Sequence, residues 1–322
     1  MNNLKITYPT IIITFVKHRQ NFLERLIKYY KNYNGEIIIV GPKINILNKD
    51  RKIKYIINND QNCSNKLLAT KKYVKSKNLI WVGEDDFVFE DYIYEANKIL
   101  NKDPKISVVE SFYLDFFEKK FELAIKSMEE YHIERKKNLL YNDLHGRLKY
   151  FSKFNGNICH SVMRKNIFFD IIKIYNDKII DDSLNDKIFY LGLLLKGKIY
   201  YLNILGHLRS QLISVNKIEK KVELSEILKN KKINKYLIKK LSKFSKNKIT
   251  YEIINIYVKK YNKNLIYKKK NIFFNRFTNT ISKILLGIRF NSLKCLLKFY
   301  NYPILSKNSK LKLEIVKKII IR

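Results

Sequence analysis

Apolar runs and amphipathic segments alternate along the first hundred residues. Continuous apolar runs at residues 10–15 and 36–40 are typical of strands buried on both faces, and shorter runs follow at 54–57 and 79–82. The spacing of apolar residues between these runs predicts helices over residues 21–30 and 64–76, and a further helix that is capped by Asp91 and runs to Leu100. This order of elements predicts an α/β fold with a largely parallel sheet covered by helices.

The pattern becomes less regular after the first hundred residues. Residues 113–150 carry both charge signs and predict a helical insertion. Beyond it, the pattern predicts strands at 149–154, 158–163 and 199–205, and helices at 166–175 and 184–195. From about residue 217 the chain is Lys-rich and helical in pattern. We therefore predict two parts, a sheet domain over residues 1–212 and a helical C-terminal region over 213–322.

The C-terminal part carries most of the positive charge of the chain. Residues 211–322 hold 29 basic residues and five acidic ones, none of them Asp, which gives +24 of the total net charge of +36. An AT-rich genome, which favours Lys, Asn, Ile, Tyr and Phe together, explains part of the total but not this asymmetry. An anionic partner such as a membrane surface or nucleic acid is one explanation. The other explanation is a packed helical cap whose solvent face is coated with Lys. Of the two anionic partners, we expect no nucleic acid.

Several classes of protein are excluded by composition. Hydrophobic residues make up 46% of the chain, which is enough to build a core and excludes disorder throughout. The three cysteines, Cys63, Cys159 and Cys295, are far apart and form no CxxC pair, so neither a disulfide scaffold nor a structural zinc site is expected. No segment has the pattern of a signal peptide or a membrane span. We expect a cytoplasmic protein, with the inner face of the cell membrane as a candidate peripheral location.

Polar and charged residues follow each of the four predicted parallel strands. Since the carboxyl ends of parallel strands meet at one edge of a sheet, where ligands bind in such folds, we expect these residues to converge. They suit a ligand that carries phosphates, together with a divalent metal. They are Lys17, His18 and Arg19 after the first strand, Gly41-Pro42 after the second, Asn59-Asp60 after the third and Glu84-Asp85-Asp86 after the fourth.

The acidic triplet Glu84-Asp85-Asp86 is the most informative of these features. Three adjacent carboxylates at the end of a buried strand repel one another unless a cation or water compensates. Magnesium and manganese prefer oxygen ligands and keep room for substrate phosphates, so a metal here could neutralise a leaving diphosphate. The alternative is an acidic loop that merely precedes the next helix.

Residues 81–87, WVGEDDF, resemble the DxD-type motif that follows the fourth strand in GT-A-fold glycosyltransferases, especially the family-2-like bacterial branch. Residues 14–23 resemble the first loop and helix of these enzymes, although the usual Pro and Asn are missing. Gly41-Pro42 replaces an Asp that usually contacts the base. The resemblance covers residues 8–212. It implies a nucleotide-sugar donor, a divalent metal and a nucleotide-binding Rossmann-like sheet.

The second half carries three further points of resemblance. Residues 155–164 resemble a loop that places an arginine, here Arg164, where donor and acceptor meet. Asn185-Asp186 stands in the position of a Glu-Asp pair before Gly197, so the resemblance implies that Asp186 is the general base. Residues 205–209, LGHLR, resemble a basic motif that contacts the diphosphate or the metal. The nearby Asp182 is a rival base, and a helix cap is the alternative role for Asp186.

These features together predict a metal-dependent glycosyltransferase of the hexosyltransferase type, acting on a hydroxyl of a bacterial surface glycan or lipid-linked glycan and inverting by resemblance. A nucleotidyltransferase and a non-enzymatic basic binding module remain alternatives. For the arginines and lysines, solvated surface positions remain the alternative, while Trp81 is most simply a core residue. The predicted donor-binding residues are Thr14, Lys17, Arg19, Gly41, Asp60, Lys66, Glu84, Asp85, Arg164 and Arg209, and the predicted metal ligands are Asp85, Asp86 and His207.

Overall fold

The computed structural model describes residues 8–44, 52–60, 62–117, 122–124, 144, 146–147, 160–175, 189 and 192–210, together with 235, 239, 314–316 and 318–319 in the basic C-terminal region. The strands are β1 (Thr10–Thr14), β2 (Ile37–Gly41), β3 (Ile53–Ile57), β4 (Asn78–Gly83), β5 (Phe87–Val88), β6 (Ile106–Phe117), β7 (Glu122–Ala124), β8 (Val162–Arg164) and β9 (Lys198–Ser210). The helices are α1 (Gln20–Tyr29), α2 (Cys63–Thr70), α3 (Glu90–Lys102) and α4 (Lys165–Tyr175), and a 3-10 turn spans Lys17–Arg19.

The described strands form one mixed sheet in the order β3-β2-β1-β4-β8-β6-β9-β5, with β7 paired to β6. Strands β1 to β4 run parallel to one another, and β6 and β9 also run parallel as a pair. Strand β8 lies antiparallel between β4 and β6, so β6 and β9 have the same direction as β4. The carboxyl ends of six strands therefore meet at one edge of the sheet, which confirms the predicted α/β class.

Burial on both faces explains why β1 and β2 are apolar at every position. Ile11, Ile12 and Ile13 have no exposed surface, although they point to alternate faces of the sheet. Helix α1 buries Leu23 and Leu26 against the same core. Burial of an isoleucine or leucine side chain contributes about 1.5–3 kcal/mol.

The structure departs from the sequence prediction at three elements. Residues 113–117 and 122–124, predicted as part of a helical insertion, belong to the hairpin of β6 and β7, while residues 144 and 146–147 are helical. Helix α3 begins one residue before Asp91, which lies in its first turn instead of capping it. Helix α2 ends at Thr70, six residues earlier than predicted.

The described part of the C-terminal region is helical, and one of its side chains lies in the core of the sheet domain. Val316 has no exposed surface and belongs to the same cluster as Ile11, Tyr30 and Phe87, with Ile319 packed against that cluster. The division at residue 212 stays a prediction, but part of the chain beyond it packs on the sheet domain. Among the described residues, no helix combines the length and the apolar character needed to cross a bilayer.

Candidate functional site

The acidic triplet lies in the turn between β4 and β5, at the carboxyl edge of the sheet, as predicted. Glu84 and Asp85 both contact one nitrogen of Arg19, with Arg19 Nη1 lying 3.3 Å from Glu84 Oε1 and 3.3 Å from Asp85 Oδ2. Arg19 reaches them from the 3-10 turn after β1, and its side chain keeps 33% of its surface exposed. The end of β1 and the end of β4 thus share a partly exposed cation and two carboxylates.

Asp86 is held by buried groups. Its Oδ2 lies 2.7 Å from His160 Nε2, and its Oδ1 accepts a hydrogen bond of 2.7 Å from the backbone N–H of Ser210. His160 Nδ1 lies 3.3 Å from the backbone oxygen of Trp81. Asp86 therefore connects the turn after β4 with the segment before β8 and with the end of β9.

Gly83 lies directly beside two of these carboxylates. A Cβ atom at this position would lie 3.3 Å from Asp85 Oδ1 and 3.3 Å from Asp86 Oδ2. The two oxygens thus flank a space that any other residue would fill. We call this space, bounded by Gly83, Asp85 and Asp86, the acidic cradle.

Burial and mutual repulsion shift the pKa values of the cluster. Burial, and after it the carboxylates of Asp86 and Glu84, raise the pKa of Asp85 to about 7 against the opposing effect of Arg19. Burial also raises the pKa of Glu84. Burial lowers the pKa of His160, but the Asp86 carboxylate and its hydrogen bond outweigh it, so that this pKa is raised. A further cation at the cradle would relieve the repulsion.

Asp85→Asn is expected to stabilise the metal-free protein at alkaline pH. Because the pKa of Asp85 is higher in the folded state than in the unfolded state, its contribution to stability is present below about pH 4 and is lost as the pH rises through about 7. The asparagine of the variant does not ionise, so the variant keeps this stability at pH 8. Its unfolding temperature at pH 8 in EDTA should exceed that of the wild type by roughly 2–5 °C. Thermal unfolding followed at pH 5 and pH 8 measures the difference. A variant less stable than the wild type at pH 8 would show that the ion pair with Arg19 stabilises the fold.

Three predicted donor-binding residues surround Phe15 at the end of β1. Thr14 Oγ1 accepts a hydrogen bond of 2.9 Å from Trp81 Nε1, so the half-buried Trp81 is not simply a core residue. Lys66 is 5% exposed, and its Nζ donates a hydrogen bond of 3.2 Å to the backbone oxygen of Phe15. A Cβ at Gly41 would lie 2.3 Å from the Phe15 ring, so glycine permits this close approach.

Asp60 and Lys17 lie on exposed loops beside this region. Asp60 Oδ1 accepts the N–H of Asn62 at 2.8 Å, and Oδ2 accepts a hydrogen bond from Asn65 at 2.5 Å. These hydrogen bonds lower the pKa of Asp60, which follows β3. Lys17 is exposed in the same 3-10 turn as Arg19. Both residues remain at the predicted edge.

The end of β9 carries a stack of rings and a guanidinium. His207 stacks on Tyr113 with 4.8 Å between ring centroids, and Arg209 Cζ lies 4.9 Å from the centroid of the same tyrosine. The ring of His160 meets His207 edge to face at 5.0 Å. His207 therefore contacts the ring of His160, which in turn contacts Asp86. Arg209 lies against Tyr113, on which His207 is stacked.

Arg164, which the sequence predicts as a donor-binding residue, lies at the opposite end of the sheet from the acidic triplet. It pairs in register with Asn78, the first residue of β4. Its guanidinium donates to the backbone oxygens of Leu100, Asp103 and Ile106, of which the first two are at the end of α3. Because β8 runs antiparallel to β4, residues before β8 reach the acidic edge and residues at its end do not. Arg164 fixes the end of α3 instead.

The two predicted base candidates, Asp186 and Asp182, lie outside the described residues. The structure thus brings together Thr14, Lys17, Arg19, Gly41, Asp60, Lys66, Glu84, Asp85, Asp86, His207 and Arg209 along one edge, and leaves Arg164 elsewhere.

The acidic cradle fits a divalent metal of the kind that binds together with phosphates. Within the described ranges, no three His, Cys, Asp or Glu side chains converge as a complete metal site, so His207 completes no such set there. Magnesium bound with a phosphate substrate, however, commonly takes only one or two protein carboxylates. Asp85 and Asp86 supply oxygens of that type on both sides of the Cβ position that glycine leaves unfilled at residue 83.

The sequence pattern does not single out His160, Tyr113 or Ser210. His160 lies within residues 155–164, but the sequence does not reveal that β8 runs antiparallel and starts at the acidic edge. Tyr113 was assigned to the helical insertion. Ser210 acts through its backbone N–H, which no side-chain pattern indicates.

Comparisons with known proteins agree on the fold. No family model matches the chain, and no curated protein matches its sequence. Among solved structures, S. aureus TarS residues 1–349 matches with a TM-score of 0.51 and 10% identity, over 78% of this chain and 71% of that one. TarS 1–349 in complex with UDP-GlcNAc matches with a TM-score of 0.52 and 10% identity, over 78% and 72%. The likeness confirms the predicted fold, an α/β sheet of the GT-A type.

Proposed function

We propose that this protein is a glycosyltransferase that moves a sugar, of the hexosyl type, from a nucleotide-diphosphate donor to a hydroxyl acceptor. The observation that carries the proposal is the acidic cradle, in which Asp85 Oδ1 and Asp86 Oδ2 flank Gly83 at the carboxyl edge of the sheet. In the same fold, TarS has been crystallised with UDP-GlcNAc. A pair of carboxylates at this edge suits a metal-bound diphosphate.

The nucleoside end of the donor is proposed to lie over β1, β2 and β3, near Gly41 and Asp60. Lys66 is the buried cation of this region, and its ammonium group has N–H groups beyond the one that bonds Phe15 O. Arg19, Lys17 and Arg209 supply further positive charge toward the acidic cradle. Arginine suits this role because its planar group can donate two hydrogen bonds to one phosphate.

Asp85 and Asp86 are the residues that would hold a manganese or magnesium ion at the cradle, with His207 as the further predicted ligand. When bound, such an ion neutralises the negative charge that grows on a leaving diphosphate. Arg19, which already lies 3.3 Å from Asp85 Oδ2, places a guanidinium next to that charge. The protein's own cations therefore share the work of stabilising the leaving group.

The proposed reaction is a direct displacement at the anomeric carbon. A carboxylate of the enzyme takes the proton of the acceptor hydroxyl, and the hydroxyl oxygen forms a bond to the anomeric carbon. The bond from that carbon to the phosphate oxygen breaks, and its electron pair leaves with the diphosphate. Asp186 is our proposed base, with Asp182 as its rival. A single displacement of this kind inverts the configuration.

We propose a bacterial surface glycan or a lipid-linked precursor as the acceptor, and an anionic membrane surface as a partner of the basic C-terminal region. Lys235 and Lys239 are helical, exposed and four residues apart, which places them on one face of a helix. Flotation with phosphatidylglycerol vesicles tests the second proposal, since Lys235→Glu with Lys239→Glu should weaken binding.

Nucleotide release from a panel of donors tests the proposed function. The full chain is incubated with UDP-, GDP-, CDP- and TDP-sugars and Mn²⁺, and the released nucleoside diphosphate is measured. We expect release from at least one donor and its loss in EDTA. Absence of both release and binding for every donor would overturn the proposal in favour of a binding module. Pyrophosphate formation from a nucleoside triphosphate, without release from any sugar donor, would favour a nucleotidyltransferase.

A further inference from the structure

His160 occupies a position that the antiparallel direction of β8 creates. It lies two residues before β8, and the ring is brought to the acidic edge because that strand starts there. The residue is 6% exposed. A histidine this deeply buried next to a carboxylate requires partners for both ring nitrogens, because an unpaired polar group in the interior is costly.

Both nitrogens of His160 have such partners. The backbone oxygen of Trp81 can only accept a hydrogen bond, so Nδ1, at 3.3 Å, carries the proton that is donated to it. Nε2 is then directed at Asp86 Oδ2, at 2.7 Å. The ring thus joins the last part of β4 to the carboxylate that follows it.

Neighbouring rings hold His160 in this orientation. The rings of His160 and His207 make an edge-to-face contact, with 5.0 Å between their centroids and an interplanar angle of 65°. His207 is in turn stacked on Tyr113, which pairs with it in register across β6 and β9. The imidazole is therefore packed against a rigid part of the sheet.

The two carboxylates of the acidic cradle differ in how firmly they are held. Asp86 is bonded through both oxygens, by His160 and by the N–H of Ser210. Asp85 contacts the partly exposed side chain of Arg19 at 3.3 Å. Asp86 is the better fixed of the two, and the group that fixes its Oδ2, the oxygen nearer the cradle, is His160.

We propose that His160 is a positioning residue that acts through Asp86, holding its carboxylate in the orientation that binds a divalent cation at the acidic cradle. This inference rests on the proposed function. Hydrogen bonds to a ligating group commonly change metal affinity by about 10–100-fold when they are removed. The alternative is that His160 and Asp86 merely tie two segments of the fold together.

Two substitutions separate these roles, because each keeps one half of the histidine's hydrogen bonding. The amide nitrogen of asparagine matches the position of Nδ1, so His160→Asn keeps a donor for Trp81 O and loses the contact with Asp86. The amide nitrogen of glutamine matches Nε2, so His160→Gln keeps the donor for Asp86. We expect Mn²⁺ affinity to fall about 10–100-fold in His160→Asn and to fall much less in His160→Gln.

The measurement is the binding of Mn²⁺ alone to the full chain, followed by the electron paramagnetic resonance signal of the free ion. Thermal unfolding of both His160 variants is the control, because a variant that has lost its fold would also lose Mn²⁺. A double-mutant cycle with Asp86→Asn completes the design. In that background His160→Asn should cause no further loss of Mn²⁺ affinity, since the effect passes through Asp86.

The outcomes separate this inference from the proposed function. Unchanged Mn²⁺ affinity in His160→Asn, or an equal loss in the presence and absence of Asp86, would overturn the positioning role while sugar transfer by the wild type still stood. A wild type that releases nucleotide but binds no Mn²⁺ would overturn the inference alone. A wild type that neither binds nor cleaves any nucleotide sugar would overturn the proposed function, and with it the purpose assigned to His160.

Discussion

Asp86→Asn is expected to lower the rate of nucleotide release by roughly a hundredfold to a thousandfold, the range seen when a group that stabilises developing charge is removed. The amide has nearly the same shape as the carboxylate, so its oxygen can still accept the N–H of Ser210. The negative charge that faces His160 and the acidic cradle is lost. Binding of the metal-bound diphosphate should weaken, while the fold is retained.

Asp91→Asn is the matched control for this prediction. It makes the same chemical change five residues later, in the first turn of α3, where Asp91 Oδ1 accepts the N–H of Tyr92. Initial rates at saturating Mn²⁺ and thermal unfolding should be recorded for both variants. If Asp86→Asn kept more than about a third of wild-type activity, or if both variants lost activity equally, the role given to the acidic cradle would be wrong.

Gly206→Ala is expected to lower the free energy of unfolding by about 3 kcal/mol, the upper part of the usual range for overpacking. A Cβ at Gly206 would lie 1.7 Å from Ser111 Oγ, 2.5 Å from Ser111 Cβ and 2.8 Å from Tyr92 Cγ. β9 and β6 are paired on either side of this glycine, at Leu205 and His207, and the oxygen of Gly206 accepts the N–H of Phe89 at 2.8 Å. The strand therefore has little freedom to move away.

Urea unfolding measures this effect, and two further variants check its cause. Gly192→Ala places a Cβ 3.0 Å from Ile171 Cγ2. This overlap is much smaller than the one at Gly206, so the variant should change stability by less than about 1 kcal/mol. Adding Ser111→Gly to Gly206→Ala removes the two shortest contacts and should restore part of the loss. If the double variant were no more stable than Gly206→Ala, the crowding at Ser111 would not be the cause.

The parallel half of the fold was accessible from the sequence because its strands are buried on both faces. The predicted strands at residues 10–15, 36–40, 54–57 and 79–82 match β1 to β4 within one residue at each end. The rule that parallel strands end at one edge then brought Arg19 and the acidic triplet together, as the contacts of Arg19 with Glu84 and Asp85 show.

The other half depended on strand direction, which the sequence pattern does not specify. Strand β6 was missed because its residues 113–117 continue into a segment of mixed charge that favours a helical interpretation. Because β8 runs antiparallel to β4, the start of β8, and not its end, lies toward the acidic edge of the sheet. This direction brought His160 to the acidic edge and carried Arg164 to the far end, where three backbone oxygens accept its hydrogen bonds.

The burial of Val316 in the core of the sheet domain has a consequence for synthesis of the protein on the ribosome. Its side chain belongs to the cluster that contains Ile11 and Tyr30, about three hundred residues earlier. Contacts of such long sequence separation form late and carry a large loop-closure entropy. The nascent sheet domain must therefore wait, with part of its core exposed, until the segment around Val316 has emerged. A chaperone that shields apolar surface would have its longest opportunity to bind during that interval.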